Sequence, residues 1–392
     1  MKKWFYILIV FSAVNCRDPY TVIIPTNGDG VLVVEGIVNG AGKTTITLSR
    51  TTRLSDKRIA PERSAVLTIE SENNSGVFPL FETTEGNYES ADLALDASTK
   101  YRLRIQTSDG REYATDFKNY IVTPAIDSIS WRQTSEGVDV FTNSHDETGQ
   151  LEFFKLDYHE TWEFHSAYRT LLGFMEVDPS QNDGYKYRLK FLDPVTQSVD
   201  TTLFVCYNER PSNGINIVST ERLAENVVLA PVRSFPTSSI ELSVLYSILV
   251  KQYAISKEAF EFYDRVKKNT EQLGSIFDAQ PSEVSGNVVC LSNPSEIVIG
   301  YVEFTTVESM RTFIDNRNLT DWGYKLENCD NYFGNPILND PSLFEELIKQ
   351  GLFPTTIHEE FPGGGIKSFN VQKEDCVDCR RKGSNIKPDF WP

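Results

Sequence analysis

The chain has 392 residues, of which 24% are charged and 12% are aromatic, and its formal net charge is −17. This composition excludes an intrinsically disordered chain, and the length allows two or three domains with a substantial core. Because strong acidity repels nucleic-acid phosphates and anionic lipid, we expect no nucleic acid as a partner and no membrane binding through surface charge.

The start of the chain has the pattern of an export signal. Two lysines precede an apolar run at residues 4–14, which is too short to cross a bilayer, and Cys16 follows it. We predict a lipoprotein signal peptide over residues 1–15, lipid on Cys16 and a lipid-anchored tether over residues 16–30. The alternative is a plain secretory signal with a chance cysteine, because Asn15 stands where a small residue is usual.

Short alternating segments separated by turns occupy residues 31–121. The segment 31–38 is rich in Val and precedes the turn pair Asn39-Gly40, while the alternating segment Tyr101–Ile105 ends at Asp109-Gly110. Short strands of this kind, with turn signals about every 8–12 residues, are typical of immunoglobulin-like sandwiches. We therefore predict an N-terminal Ig-like β-sandwich over residues 31–121.

Longer strand patterns follow and predict a second β-sandwich over residues 122–315. The longest of them covers residues 151–165. A helical insertion is predicted near residues 256–274, where Ser256 is a suitable N-cap and apolar residues recur at helical spacing. We expect the strand patterns after this helix, between residues 288 and 304, to complete the sheet of the second sandwich. The fold class is therefore mainly β, with two tandem sandwiches.

The C-terminal part, residues 316–392, is predicted as an irregular and helical cap. A short helix should begin at Asp340-Pro341, and the tail from Leu352 onward should be irregular. Aromatic residues anchor protein interfaces more often than other residues do, so the aromatic residues of this part are candidates for a partner contact. They are Phe353, Phe361, Phe390 and Trp391. The alternative is that they pack under the second sandwich as a core plug.

Five cysteines follow Cys16, and in an exported protein they indicate disulfides. We predict that four of them form two bridges that pin the C-terminal tail, with the pairing left open. These four are Cys206, Cys329, Cys376 and Cys379. Cys290 lies in an apolar run, so we expect it to be the buried free thiol.

The Cys376-x-x-Cys379 spacing has two chemical alternatives. A redox motif needs its first cysteine at a helix start after a strand, whereas this one lies in a Gly-rich, charged tail. A zinc site needs two further ligands, and Cys329 and His358 do not form a second clustered pair. The sequence therefore favours the structural role.

One other segment suggests metal chemistry. On a strand, His159, Glu163 and His165 share a face, but their spacing is not that of the helical His-Glu-x-x-His zinc motif. We expect instead a strand with one polar and one aromatic face. Because the nucleophile-elbow and phosphate-loop signatures are missing from the sequence, we predict a protein that is not an enzyme, without catalytic residues, metal or cofactor.

Motifs along nearly the whole chain resemble a known family. They include Leu32–Val38, Tyr101–Ile105 with Asp109-Gly110, and the terminal pair Cys376–Arg380 and Lys387–Trp391. These resemble the Bacteroidota lipoproteins catalogued as domain of unknown function 4249. The resemblance implies an outer-membrane lipoprotein, lipid-anchored and facing the cell exterior.

Lipoproteins of this kind are often encoded beside TonB-dependent receptors. By analogy, the resemblance implies an accessory subunit, a lid or a capture protein, of a TonB-dependent outer-membrane transporter. Two other functions remain open at this point: a stand-alone surface module that binds peptide or glycan or acts in adhesion, and a metal-dependent hydrolase that uses His159, Glu163 and His165. The resemblance supplies no catalytic residues.

Overall fold

The computed structural model describes residues 30–52, 59–181, 186–193, 195, 201–221, 227–271, 286–324, 329 and 342–392. The predicted signal peptide, Cys16 and the tether up to residue 29 lie outside this part of the chain. Within the described residues, no helix is both long enough and apolar enough to cross a membrane.

The described residues between 30 and 119 form strands joined by turns and loops. Their bounds are β1 (Leu32–Asn39), β2 (Thr45–Arg50), β3 (Ala60–Pro61), β4 (Val66–Ser71), β5 (Val77–Thr84), β6 (Asn87–Ser90), β7 (Lys100–Gln106), β8 (Glu112–Thr115) and β9 (Lys118–Asn119). The alternation of buried and exposed side chains in β4 and β7 shows that one face of these strands lies on a core.

The described middle of the chain has longer strands and an α-helix. The strands are β10 (Ile126–Gln133), β11 (Gly137–His145), β12 (Phe153–His165), β13 (Leu172–Glu176), β14 (Tyr187–Phe191), β15 (Val205–Pro211), β16 (Asn216–Ser219), β17 (Val227–Pro236) and β18 (Leu245–Ala254). Helix α1 (Lys257–Glu271) follows β18. Ser256 caps it, because its Oγ accepts the amide of Ala259 at 3.3 Å, so the predicted helix start is confirmed. Gly274, the predicted helix end, lies outside the described residues.

The remaining described elements are strands and short helices. They are β19 (Val288–Cys290), β20 (Val298–Ile299), β21 (Glu303–Thr305), β22 (Glu308–Asp315), α2 (Ser342–Lys349), β23 (Leu352–Glu360), β24 (Ile366–Lys373) and α3 (Glu374–Val377). The predicted helix after Pro341 is therefore confirmed.

Twelve strands form the first sheet, in the order β19-β8-β7-β4-β5-β6-β2-β1-β20, with β21 beside β1, β3 beside β2 and β9 beside β7. The side chain of Asn287 bonds both backbone groups of Val302 at 2.8 Å, which joins the two ends of the sheet. The sheet thus folds over one apolar core that includes Leu32, Ile46 and Leu103. The predicted N-terminal β-sandwich is therefore confirmed, with both of its layers supplied by one sheet that folds over the core.

Strands β19, β20 and β21 complete this first sheet rather than the second sandwich, so that part of the prediction is wrong. Strands β20 and β21 pair in parallel with β1, and β19 pairs with β8. The chain thus leaves the first unit after β9 and returns to it after α1. Alternation predicts that a segment is a strand, but it does not specify a partner that is more than 150 residues away in the chain.

The second unit is a sandwich of two sheets, as predicted. Its first sheet has the order β10-β11-β17, and its second has the order β15-β12-β18-β22, with β16 beside β12. Val140 of the first sheet and Leu156, Tyr246 and Ile248 of the second are fully buried in the core between them. The aromatic face of β12 lies on this core, and its polar face points away from it.

The C-terminal cap is more regular than the sequence predicts. Hairpin β23–β24 and helix α2 enclose, together with hairpin β13–β14, a separate small core. Its buried members are Leu172, Phe344, Leu347, Phe369 and Val371. The sequence did not indicate the hairpin because its outer half carries mostly polar side chains and little apolar alternation.

Two disulfides pin this cap, one to the second sandwich and one within the cap itself. One joins Cys206 of β15 to Cys379, and the other joins Cys329 to Cys376 of α3. Cys290 is buried and free. The predicted set of bridged cysteines is therefore confirmed. Because Cys376 and Cys379 have different partners, neither the alternative redox pair nor the alternative zinc site forms.

Candidate functional site

A cleft of about 570 Å³ lies where the first sheet, the second sandwich and α1 meet, and we call it the interdomain cleft. Residues 33–37 of β1 and residues 299–301 line it from the first unit. Lys155 and Asp157 of β12, with Lys251 and Tyr253 of β18, line it from the second. Helix α1 and the loop at residues 212–215 complete its walls, so the cleft belongs to both units.

The second-unit wall follows from strand alternation. Lys155 and Tyr253 are cross-strand partners, and so are Asp157 and Lys251. All four lie on the face of the β12–β18 pair that points away from the sandwich core, because Phe154 and Leu156 fill the core face. The sequence therefore shows this polar face, but not the first unit that lies opposite it.

Two chain segments connect the units, one outgoing and one returning, and hydrogen bonds join them to each other. Thr123 lies on the outgoing connection, and its Oγ accepts the Ala254 amide at 3.0 Å and donates to the Thr306 carbonyl at 2.5 Å. The Thr123 amide donates to Thr306 Oγ at 2.8 Å, which joins the outgoing connection to the returning one. Because the two connections are bonded to each other and to the end of β18, the walls of the cleft have a fixed spacing.

Helix α1 is also bonded to the first unit. Glu303 of β21 is almost fully buried, and its Oε2 accepts hydrogen bonds from the amide and the hydroxyl of Ser256 at 2.9 and 2.5 Å. Phe262 of α1 packs against Tyr301, with ring centroids 5.7 Å apart. The helix that forms one wall is thus positioned by the strand next to the opposite wall.

A charged and aromatic cluster lies inside the cleft. The Lys155 ammonium donates to both oxygens of Asp157 at 2.5 Å and lies 5.2 Å from the ring centroid of Tyr253 and 5.8 Å from that of Tyr263. Burial raises the pKa of both phenols well above the ordinary value, and the Asp157 charge adds to the effect. Both hydroxyls therefore stay protonated near neutral pH, and the Tyr253 hydroxyl is hydrogen-bonded to Asp157.

The three residues proposed as metal ligands are not brought together. His165 Nε2 lies 2.9 Å from Glu163 Oε1, whereas His159 Nε2 lies 3.9 Å from the Glu209 carboxylate. The hydrogen bond from His165 lowers the pKa of Glu163, and this effect outweighs the opposing effect of burial. Among the residues that the structure describes, no group of three or more His, Cys, Asp or Glu side chains is placed to hold a metal ion.

The four tail aromatics do not form one contact surface. Trp391 is 6% exposed, stacks edge-on against Tyr207 and Phe313, and donates from Nε1 to Glu163 at 3.1 Å. It therefore covers the outer face of the second sandwich, the face that points away from the core. Phe390 is partly exposed beneath the Arg311 guanidinium. Phe353 packs on Phe174 in the cap, and Phe361 is exposed where β23 ends.

Sequence reasoning missed a buried ion cluster in the second sandwich. Glu160 is 1% exposed, and its two oxygens accept hydrogen bonds from Arg210, Arg233 and the Tyr246 hydroxyl at 2.9–3.0 Å. Glu241 bonds the same Arg210 at 3.0 Å. The sequence feature that could have revealed it is Glu160 itself, a carboxylate on the aromatic, core-facing side of β12. A charge buried in that position must be paired. The pairing is complete, so this cluster stabilises the sandwich and leaves no open polar group on Glu160.

Comparison with solved structures finds 52 matching chains. One belongs to the structure described as the complete manganese lipoxygenase of Gaeumannomyces graminis with partial zonadhesin of Komagataella pastoris. That chain is 10% identical, the match covers 59% of this chain and 90% of that one, and the TM-score is 0.17. A second match is a DUF4785 family protein of Legionella pneumophila, also 10% identical, with 56% and 51% covered and a TM-score of 0.19. Overlap this low supports no argument about fold or function.

Comparison with families is more informative. No curated protein matches the chain. The family model described as Domain of unknown function (DUF4249) matches residues 17–311, which include the first unit, both connections, α1 and every residue that lines the interdomain cleft. A match over most of the chain shows membership, so the chain belongs to the DUF4249 family.

Proposed function

We propose that this protein is a lipid-anchored outer-membrane capture protein that is not an enzyme and works beside a TonB-dependent transporter. The interdomain cleft is the observation that carries the proposal. Binding sites for small ligands are concave, measure about 300–1,000 Å³ and occur preferentially between domains. At about 570 Å³, this cleft has the expected size and place.

The anchor and the cleft fit a single arrangement. The predicted lipid on Cys16 would precede β1 by fewer than 20 residues, and β1 forms one side of the cleft. An extended chain spans at most about 3.3–3.6 Å per residue, so the tether limits how far the cleft can lie from the membrane. A capture site held at this distance is suited to passing a ligand to a transporter in the same membrane.

The geometry also supports a role without catalysis. Two of the residues that had suggested hydrolysis are bonded within the fold, since Glu163 accepts hydrogen bonds from His165 and Trp391. The cleft holds lysines, a carboxylate already paired with Lys155, and tyrosines. These groups can bind and orient a ligand. We assign none of them the role of nucleophile or general base.

Affinity isolation from native membranes tests the partnership. An epitope inserted at Gly364, in the exposed turn between β23 and β24, leaves the buried Trp391 tail untouched. We expect mild-detergent isolation of the anchored protein to recover a TonB-dependent receptor, identified by mass spectrometry, and a Cys16→Ser variant to lose it. Recovery of the anchored protein without any such receptor would refute the partnership.

A second candidate is a surface binding module that works alone. The cleft itself favours it, since a lined pocket is what this candidate requires. It predicts ligand binding by the isolated protein with no co-purifying barrel. The same isolation experiment therefore separates the two candidates.

A further inference from the structure

We infer that the ligand of the interdomain cleft is an amphiphilic organic anion, in which an apolar or aromatic body carries a negatively charged head group. The inference rests on the capture role proposed above for its biological purpose. Its physical basis is the arrangement of lysines and aromatic side chains inside the cleft.

The cleft lining has more basic than acidic side chains, unlike the protein as a whole. The whole chain has 55 acidic residues against 38 basic ones. Among the described residues, the charged side chains that line the cleft are three lysines and two carboxylates, namely Lys43, Lys155, Lys251, Glu35 and Asp157. The lysines come from both units, so positive charge faces the cleft from two sides. These five side chains sum to a net charge of +1, whereas the whole chain carries −17, so the cleft is less hostile to an anion than the rest of the surface.

The three lysines differ in how fully they are paired. Lys43 forms an ion pair with Glu89 at the rim, and Lys155 donates two hydrogen bonds to Asp157. Lys251 is exposed and forms no ion pair with any residue in the described part of the chain. An ammonium has three donors, so Lys155 keeps one and Lys251 keeps all of its own for a ligand. Lys251 is therefore the main group available to a negative head group.

The rest of the lining is suited to an apolar body. Ile37 and Ile299 of the first unit, Ile215 of the loop, and Phe262 and Val266 of α1 line the cleft. The phenols of Tyr253 and Tyr263 lie beside Lys155 and carry no charge near neutral pH, so they do not repel an anion. A cationic ligand is disfavoured because the Lys155 ammonium already occupies the space between these rings and the Asp157 carboxylate.

Two dyes test the inference. Anilinonaphthalene sulfonate joins an aromatic body to a sulfonate, and N-phenylnaphthylamine has a similar body without the charge. The protein would be the full mature chain with Cys16→Ser, which needs no detergent. We expect saturable fluorescence of the sulfonate at one site and markedly weaker binding of the neutral dye.

Substitutions locate the site. Lys251→Glu should weaken binding of the sulfonate by about tenfold or more, because it replaces an attractive charge with a repulsive one at close range. Lys100→Glu, on an exposed part of β7 away from the cleft, makes the same change in net charge and should leave binding within about twofold. Val266→Trp should fill the cleft and reduce binding of both dyes. Far-UV circular dichroism would check that each variant is folded.

The outcomes separate the inference from the proposed function. Equal effects of Lys251→Glu and Lys100→Glu, equal binding of the two dyes, or no binding of the sulfonate would each overturn it. Preference for a cationic aromatic dye over the sulfonate would overturn it as well. Dye binding with the expected pattern, in a protein that recovers no receptor from membranes, would refute the transporter partnership and leave the ligand class standing.

Discussion

Ser256 and Glu303 join the start of helix α1 to strand β21 of the first unit. Glu303 Oε2 accepts the Ser256 amide at 2.9 Å, while the Ser256 hydroxyl both bonds this carboxyl group and caps the helix. Two residues that are 47 positions apart thereby fix one wall of the interdomain cleft relative to another. The size of the cleft depends on this contact and on the Thr123 hydrogen bonds between the two connections.

Replacing Ser256 with Ala should destabilise the protein by about 1–3 kcal/mol, since it removes a helix cap and leaves a buried carboxyl group with one partner fewer. Urea unfolding followed by far-UV circular dichroism measures the change. Ser243→Ala is a matched control, because the buried hydroxyl of Ser243 has no hydrogen-bond partner in the described structure. Equal stability of the two variants would show that the Ser256–Glu303 contact does not hold α1.

Replacing Glu160 with Gln should cost about 3 kcal/mol. Breaking a buried ion pair costs about 3–5 kcal/mol, and the lower end applies here because Arg210 and Arg233 partly reach solvent. The same urea experiment applies, with Glu136→Gln on an exposed turn as the control, which should change stability by less than about 0.5 kcal/mol. An unchanged unfolding midpoint for Glu160→Gln would contradict the role given to this cluster.

The two disulfides should differ in their effect on stability. The Cys206–Cys379 bridge closes a loop of 173 residues and the Cys329–Cys376 bridge one of 47. The chain-entropy relation gives about 5 and about 4 kcal/mol for these loops. Paired Cys→Ser variants, measured by thermal unfolding, should both lower the melting temperature, with the larger loss for Cys206 and Cys379.

Cys290→Ala breaks no bridge and serves as the control for both disulfide variants. Peptide mapping under non-reducing conditions would first establish the pairing in the wild-type protein. A bridge between Cys376 and Cys379 in that map would contradict the structure directly.

Docking of the C-terminal tail should depend on pH through Glu163. The His165 hydrogen bond lowers the pKa of Glu163 below its ordinary value of 4.5, despite the opposing effect of burial. A group whose pKa is lowered by folding adds stability above its unfolded value, and this stability is lost as the pH falls through the folded value. The tail should therefore be held above about pH 4.5 and loosen below it.

Fluorescence of Trp391 reports this step, with Trp391→Phe identifying its share of the emission. We expect a red shift of the Trp391 signal on acidification below pH 4.5, as the indole leaves its contacts with Tyr207 and Glu163. In Glu163→Gln the amide does not titrate, so the acid step should disappear. An identical acid step in that variant would assign it to another group.

Local patterns in the sequence predict much of this fold. The alternation of residues 153–165 predicts β12 and its two faces, and Ser256 marks the start of α1. Local patterns do not predict which strands pair. Strands β19 to β21 pair with strands of the first sheet that are far away in the chain. The disulfide pairing likewise depends on the tertiary fold, since four cysteines allow three pairings.

The candidate site was less predictable than the fold. Lys155, Asp157 and Tyr253 are recognisable as a polar strand face, but which unit covers that face depends on the same long-range pairing of β1 with β20 and β21. The residues weighed as metal ligands, His159, Glu163 and His165, lie toward the other end of this face. The tail packs there, with Trp391 bonded to Glu163. Sequence patterns identified the strands, and the contact between units created the cleft.

Mass spectrometry of the amino-terminal peptide would show whether Cys16 carries lipid. We expect protein purified from the cell envelope to begin at Cys16, to carry diacylglycerol on its thiol and to be released only by detergent. An unmodified amino terminus on a protein that leaves the envelope without detergent would contradict it.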